Sequence, residues 1–145
     1  MGVIVREALE RDLPAVMAIA RKDVDHLGFE PRGAYLDGVN TGKLLVAVLD
    51  DKYVIGFIKF GGTTKDMWTI YQVATARIAR GMGAGKLLIE AMSAKAAQKE
   101  AGVRLKVTTE NAVAVAFYQK VGFRIVDTEK PNKRSLYVME KEWQR

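Results

Sequence analysis

The chain contains no cysteine and a single histidine, His26. The first absence excludes disulfides, thiolate metal sites and cysteine nucleophiles. The second excludes a two-histidine metal site and a histidine-rich proton relay, so no metal is expected. No apolar run in the sequence is long enough to span a bilayer. The opening segment MGVIVREALE lacks the apolar core of a secretory signal and reads as a strand. Arginine at position 6 breaks the myristoylation pattern that Met-Gly opens. These absences make the cytoplasm the expected location, with no membrane partner.

What is present suits one domain over residues 1–145, since 49% of the chain is hydrophobic and can form a core while 28% is charged and keeps it soluble. There are 23 basic and 17 acidic residues, so the net charge is 23 − 17 = +6. That sign favours anionic partners, nucleotide-bearing cofactors among them; a solvated basic surface is the plain alternative. No nucleic-acid recognition motif accompanies the charge, so no nucleic acid is expected as partner.

Val3–Ala8 reads as a strand. Asp12 reads as an N-cap with Pro14 in the first turn, and Leu13, Val16, Met17 and Ala20 follow at helical spacing. Residues 23–42 carry His26, Gly28, Pro31, Gly33, Gly38 and Gly42 and read as a loop holding at most one short helix. Lys43–Leu49 and Tyr53–Phe60 form a hairpin around Asp50, Asp51 and Lys52. A loop over 61–66 leads to a strand at Trp68–Thr75. The strongest helix runs from Gly83 to Glu100, with Leu87, Leu88, Ala91 and Met92 on its apolar face and Gly102 as its C′ stop. A strand at Arg104–Thr109 precedes a second helix, Ala112–Val121, with Asn111 as N-cap and Gly122 at C′. Phe123–Asp127 and Leu136–Met139 are strands around a turn with Pro131 and Asn132. The order predicts an α+β (mixed α/β) domain.

Between a strand and the long helix lies Arg80-Gly81-Met82-Gly83-Ala84-Gly85-Lys86. Glycines let backbone approach a ligand, and free amides at a helix start make an anion site with the helix dipole. The P-loop pattern fails here, because its first position is Arg80 and Leu87 follows the lysine. The dinucleotide pattern fails too, because Lys86 or Leu88 stands where its third glycine belongs. Arg-x-x-Gly-x-Gly, in contrast, resembles the pyrophosphate-binding motif of the GNAT superfamily of N-acetyltransferases; a ligand-free glycine turn is the alternative. The segment from Asn111 to Phe123 resembles that family's late motif, in which an asparagine, an alanine and an aromatic-tyrosine pair line a helix before Gly-Phe. Asn111, Ala114 and Tyr118 share one helix face. Core packing by Ala114, Phe117 and Val121 is the other reading of the same stripe.

The resemblance is clear from Trp68 to Phe123. It implies a single GNAT domain with a central mixed, mostly antiparallel sheet of about six to seven strands flanked by helices. It implies acetyl-CoA as co-substrate and direct attack by an amine. The backbone of Val73, Ala74 and Thr75 would pair with pantetheine. The amides from Gly81 through Met82, Gly83, Ala84 and Gly85 to Lys86, beside Arg80, would hold the pyrophosphate. Asn111 would bond a pantetheine amide, Ala114 and Phe117 would pack on the arm, and Lys120 would reach a CoA phosphate unless it is a plain surface lysine. Tyr118 would protonate or stabilise the leaving thiolate.

The attacking amine must be neutral, and deprotonating a lysine-like amine at pH 7 costs about 4–5 kcal/mol. The family's usual glutamate would fall near Thr69, yet no acidic residue stands between Met67 and Thr75. Glu110 is the substitute placed in the catalytic set; Asp66, His26 and a water chain past Tyr71 or Gln72 stand beside it. The acceptor, a small-molecule or peptide amine, would meet residues 23–42, 61–68 and 129–134. Phe29, Tyr35 and Trp68 would line that pocket or belong to the core, and Asp23, Asp25, Glu30 and Asp37 would attract a cationic amine or be merely polar. A homodimer is compatible with the family. The rival function is a non-catalytic, CoA-binding regulatory module of the same fold.

Overall fold

The computed structural model describes residues 2–22, 30–62 and 64–143. His26, Phe29, Asp23 and Asp25, singled out above, lie outside the described residues. Four α-helices and seven strands are found among them. They run β1 (Val3–Glu7), α1 (Leu13–Lys22), α2 (Arg32–Thr41), β2 (Leu44–Leu49), β3 (Tyr53–Gly61), β4 (Met67–Thr75), α3 (Ala84–Gln98), β5 (Gly102–Thr108), α4 (Ala112–Lys120), β6 (Arg124–Glu129) and β7 (Leu136–Lys141). Short 3-10 turns at Glu10–Asp12 and Arg77–Ala79 precede α1 and α3. The strand order is β1-β2-β3-β4-β5-β7-β6, the seven-stranded, mixed sheet expected from the resemblance. Two compact units divide the chain, Met1–Gly61 with Gln72–Met92 and Gly62–Tyr71 with Ser93–Arg145; β4 and α3 run through both.

In the first unit β1, β2 and β3 are antiparallel, with Val5 opposite Ala47 and Val46 opposite Phe57. Leu44 to Val48 are all buried, because helices cover both faces of β2 and alternation is lost. On one face Leu13 and Val16 of α1 and Tyr35 of α2 join Val46, Phe57 and Ala74 in the core. Fully burying Leu13, Val16, Val46 or Phe57 contributes about 1.5–3 kcal/mol each. On the other face Leu88 of α3 lies against Gly56, where a Cβ would meet it at 3.2 Å. Asp50 and Asp51, both with positive φ, close the β2–β3 hairpin. In the second unit β4 pairs in parallel with β5 over Met67–Thr69, and β5 and β6 both pair antiparallel with β7. Ile70, Ala96, Ala101, Val103, Leu105, Val107, Phe123, Val138 and Met139 are its buried hydrophobic residues. Val126 is an extra residue between the paired Ile125 and Asp127, a bulge in β6.

Three local expectations are corrected. Asp12 does not cap α1: its carboxylate accepts from Leu9 N–H at 2.8 Å and from both Arg6 guanidinium nitrogens. Residues 32–41 form the ten-residue α2, the one helix allowed for in the stretch otherwise read as loop. Gly38 within it marks close packing, not a turn, since a Cβ there would lie 2.9 Å from that of Leu44. Gly102 starts β5, and α3 ends instead on Glu100 with φ 55. Glu100 N–H bonds Ala97 O and Ala101 N–H bonds Ala96 O, the paired bonds of a Schellman motif.

Candidate active site

The first unit supplies the glycine turn. Gly81 and Gly83 have φ values of 87 and 78, a region that costs other residues about 1–2 kcal/mol. A Cβ at either would meet nothing within 4 Å, so backbone conformation, not crowding, requires glycine here. The first bond of α3 runs from Leu87 N–H to Gly83 O. The amides of Ala84, Gly85 and Lys86 come before it and have no intrahelical acceptor. Arg80, Gly81, Met82, Gly83 and Lys86 are exposed, while Ala84 is buried and Gly85 half-buried. Lys86 sits 3.8 Å from Glu90, both solvated, so the pair holds little of its charge. The turn thus offers oriented N–H groups, about half a positive charge from the helix, and two cations to an anion.

Upstream, β4 alternates: Gln72 and Ala74 are buried, Val73 and Thr75 half-buried. Gln72 Oε1 accepts from the Tyr35 hydroxyl at 2.9 Å. Tyr35 is only 1% exposed and belongs to the core, so it does not line an acceptor pocket. Burial pushes its phenol up, and the charge of Glu30 adds to this. Glu30 in turn binds Lys59 at 3.2 Å, a pairing 29 residues apart that the sequence pattern did not signal. Its charge is therefore not free to draw in a cation. Asp37 is exposed on α2.

The second unit supplies α4. Asn111 caps it, Oδ1 accepting from Ala114 N–H at 3.2 Å, which leaves the Nδ2 donors for other work. Gly122, with φ 106, follows its end as expected. No residue of α4 is fully buried. Ala114, Phe117 and Tyr118 are half-buried on one side, while Val113, 83% exposed, and Lys120 face solvent. The Tyr118 ring lies 5.5 Å from that of Phe117 and 5.8 Å from that of Phe123, both edge-on. Burial pushes its phenol up to about 12, so it stays protonated at neutral pH. Glu110 is exposed in the turn before α4. On β4, Tyr71 is exposed and Thr69 half-buried. Both face Gly62, whose Cβ would lie 2.7 Å from Tyr71 Oη and 3.3 Å from Thr69 Oγ1. Asp66, also exposed, donates no side chain to this cluster; its carbonyl accepts from Gly102 N–H at 2.9 Å. Trp68, at the start of β4, is half-buried.

Residues 5–123 match the family model described as the acetyltransferase (GNAT) family. The chain is 29% identical over 133 residues to the peptidyl-lysine N-acetyltransferase YjaB of Salmonella typhimurium, covering 86% of each protein. Its fold resembles that of Ard1 from Thermoplasma volcanium, with a TM-score of 0.87, 24% identity and full coverage of both chains. It likewise resembles the PaiA N-acetyltransferase from Thermoplasma acidophilum, solved in complex with coenzyme A, with a TM-score of 0.77, 22% identity, and 99% and 100% coverage. With the family model spanning most of its length, the chain belongs to the acetyltransferase (GNAT) family and is an N-acetyltransferase.

Proposed function

We propose that the chain moves the acetyl group of acetyl-CoA onto an amine of a peptide or small molecule by direct attack on the thioester. The observation that carries this reading is the open turn at Gly81 and Gly83, which frees three amides at the start of the fifteen-residue α3. In the reading the coenzyme's diphosphate lies on the amides from Gly81 to Lys86, Met82 excepted because its N–H bonds Ala79 O at 3.2 Å, with Arg80 and Lys86 adding charge. Its pantetheine pairs with the backbone of Val73, Ala74 and Thr75. The register supports that choice: the ladder with β5 covers Met67 to Thr69, and β4 runs on to Thr75. Asn111 donates from Nδ2 to a pantetheine carbonyl, Ala114 and Phe117 pack on the arm, and Lys120 meets a phosphate.

Tyr118 is assigned to the leaving thiolate. Its raised pKa keeps the proton in place, and its neighbouring rings keep water from competing for it. A phenol at about 12 is a weaker acid than a thiol near 8.5, so the bond it donates to developing charge does more than complete transfer would. The amine's proton leaves by Glu110 or through water held at Thr69 and Tyr71. The whole chain is read as one acetyltransferase domain.

Calorimetry with acetyl-CoA and thiol release against an amine panel test the proposal together. Micromolar binding with turnover is the expected result. Binding without release from any amine would favour the non-catalytic module, and no binding would remove the assignment of the glycine turn.

A further inference from the structure

The turn between β6 and β7 runs Lys130-Pro131-Asn132-Lys133-Arg134, with three basic residues and no acidic one. These three positive charges equal half of the net +6, gathered into five consecutive residues that are all exposed. Neighbouring basic side chains on the sheet have partners: Lys106 holds Glu129 at 2.8 Å, Arg104 holds Glu140, and Arg124 holds Glu142 at 3.2 Å. Lys130, Lys133 and Arg134 form no ion pair among the described residues. The acids of the same hairpin are engaged elsewhere, Glu129 by Lys106 and Asp127 by the Thr128 N–H at 2.8 Å. Like charges this close repel, and no contact among the described residues offsets it. The register fixes where the turn lies. Glu129 stands opposite Leu136, Leu136 opposite Thr108, and Thr109 N–H bonds Ser135 O at 3.0 Å. The turn therefore leaves the sheet at the end of β5, where Glu110 and Asn111 lead into α4, the helix of Tyr118. All of these residues belong to the second unit.

We infer that this turn selects the acceptor, and that the acceptor is a polypeptide with acidic side chains flanking its reactive amine. The inference rests on the acetyl-transfer reading, in which the amine's proton leaves by Glu110 or through water, and it narrows the substrate class. An amine arrives mostly as ammonium, and three cations beside the entry repel it. Acidic neighbours on the same chain reverse the sign of that encounter, so charge selects for them and against polyamines and basic peptides. A small amino acid fits less well, because the three cations are solvated and spread along a turn rather than gathered in an enclosed pocket that would fix a lone carboxylate. A nucleic acid also fits less well, since residues 130–134 hold no aromatic side chain on which a base would stack.

The experiment measures kcat/KM for wild type and for a variant combining Lys130→Gln, Lys133→Gln and Arg134→Gln. The acceptors are three peptides that differ only in the acidic, neutral or basic residues around one lysine, and a short ω-amino acid. Exposed charge pairs are weak singly, but three act together here. Wild type is expected to favour the acidic over the neutral peptide about tenfold at low salt and to use the basic one least, with the preference shrinking towards unity in about 1 M salt. In the variant the acidic preference should fall to within about twofold, with KM for acetyl-CoA unchanged within the same factor. The wild-type ratio needs no variant to fold. Equal rates of wild type on the acidic and neutral peptides, a preference that survives in the variant, or a variant defect in KM for acetyl-CoA would overturn the inference. So would a short ω-amino acid used as well as the acidic peptide, or stronger inhibition by an oligonucleotide than by an acidic peptide without lysine. Thiol release from the neutral peptide judges the parent reading on its own. If no amine releases thiol, titrating the acidic and neutral peptides into wild type still decides the point: tighter binding of the acidic one supports the inference, and equal binding overturns it.

Discussion

Tyr118 and Gly83 carry the sharpest expectations for single side chains. Tyr118→Phe keeps both ring contacts and removes one hydroxyl. Turnover should fall about 10²- to 10⁴-fold while acetyl-CoA affinity measured by calorimetry stays nearly constant. Unchanged turnover would take Tyr118 out of the chemistry. Gly83→Ala adds a methyl that meets nothing within 4 Å but must hold φ near 78. The turn is exposed and relaxes locally, so the melting point should barely move while the coenzyme Kd rises about tenfold, the equivalent of the 1–2 kcal/mol that this backbone region costs. Both residues stand out in the sequence, because glycine spacing and the aromatic-tyrosine pair are local patterns. For Glu30 the sequence leaves attraction of a cationic amine and a merely polar loop side by side, because its partner Lys59 is distant in sequence and only the fold brings it near.

At the scale of elements, caps separate what was readable from what was not. Asn111 at the start of α4 and Gly122 after its end announced that helix, and both serve as expected. The start of α1 misled, because Arg6 and Leu9 N–H hold the Asp12 carboxylate that was read as its cap. Helix α2 is allowed for by the sequence but not bounded, because Gly33 and Gly38 interrupt its pattern, and the latter is chosen by the approach of Leu44 rather than by a turn. The end of α3 was misplaced because glutamate is an unusual residue for a left-handed stop. That position has a measurable consequence. Glu100→Gly keeps both closing bonds and relieves the side-chain clash of φ 55, so the chain should gain about 0.5–1 kcal/mol by chemical denaturation. A loss of stability instead would mean that the carboxylate has a role beyond the cap.

For the molecule as a whole, alkaline stability reports on Tyr118. Its folded pKa, about 12, lies above the ordinary value of 10. The resulting stabilisation is fully present below pH 10 and is lost as pH rises through about 12. Two pH units correspond to about 2.7 kcal/mol. Denaturant midpoints of wild type should therefore fall faster than those of Tyr118→Phe between pH 10 and 12, and coincident curves would show that the phenol is solvated. Strand β6 closes the sheet order, and all but its last residue are exposed. Its bulge at Val126 throws the outer rim out of step, so another chain's strand finds no continuous row of amides and carbonyls to dock on. The single inserted valine is therefore expected to hinder fibre growth along this rim. Deleting Val126 should straighten the rim and make light scattering rise with concentration, whereas the intact chain stays flat.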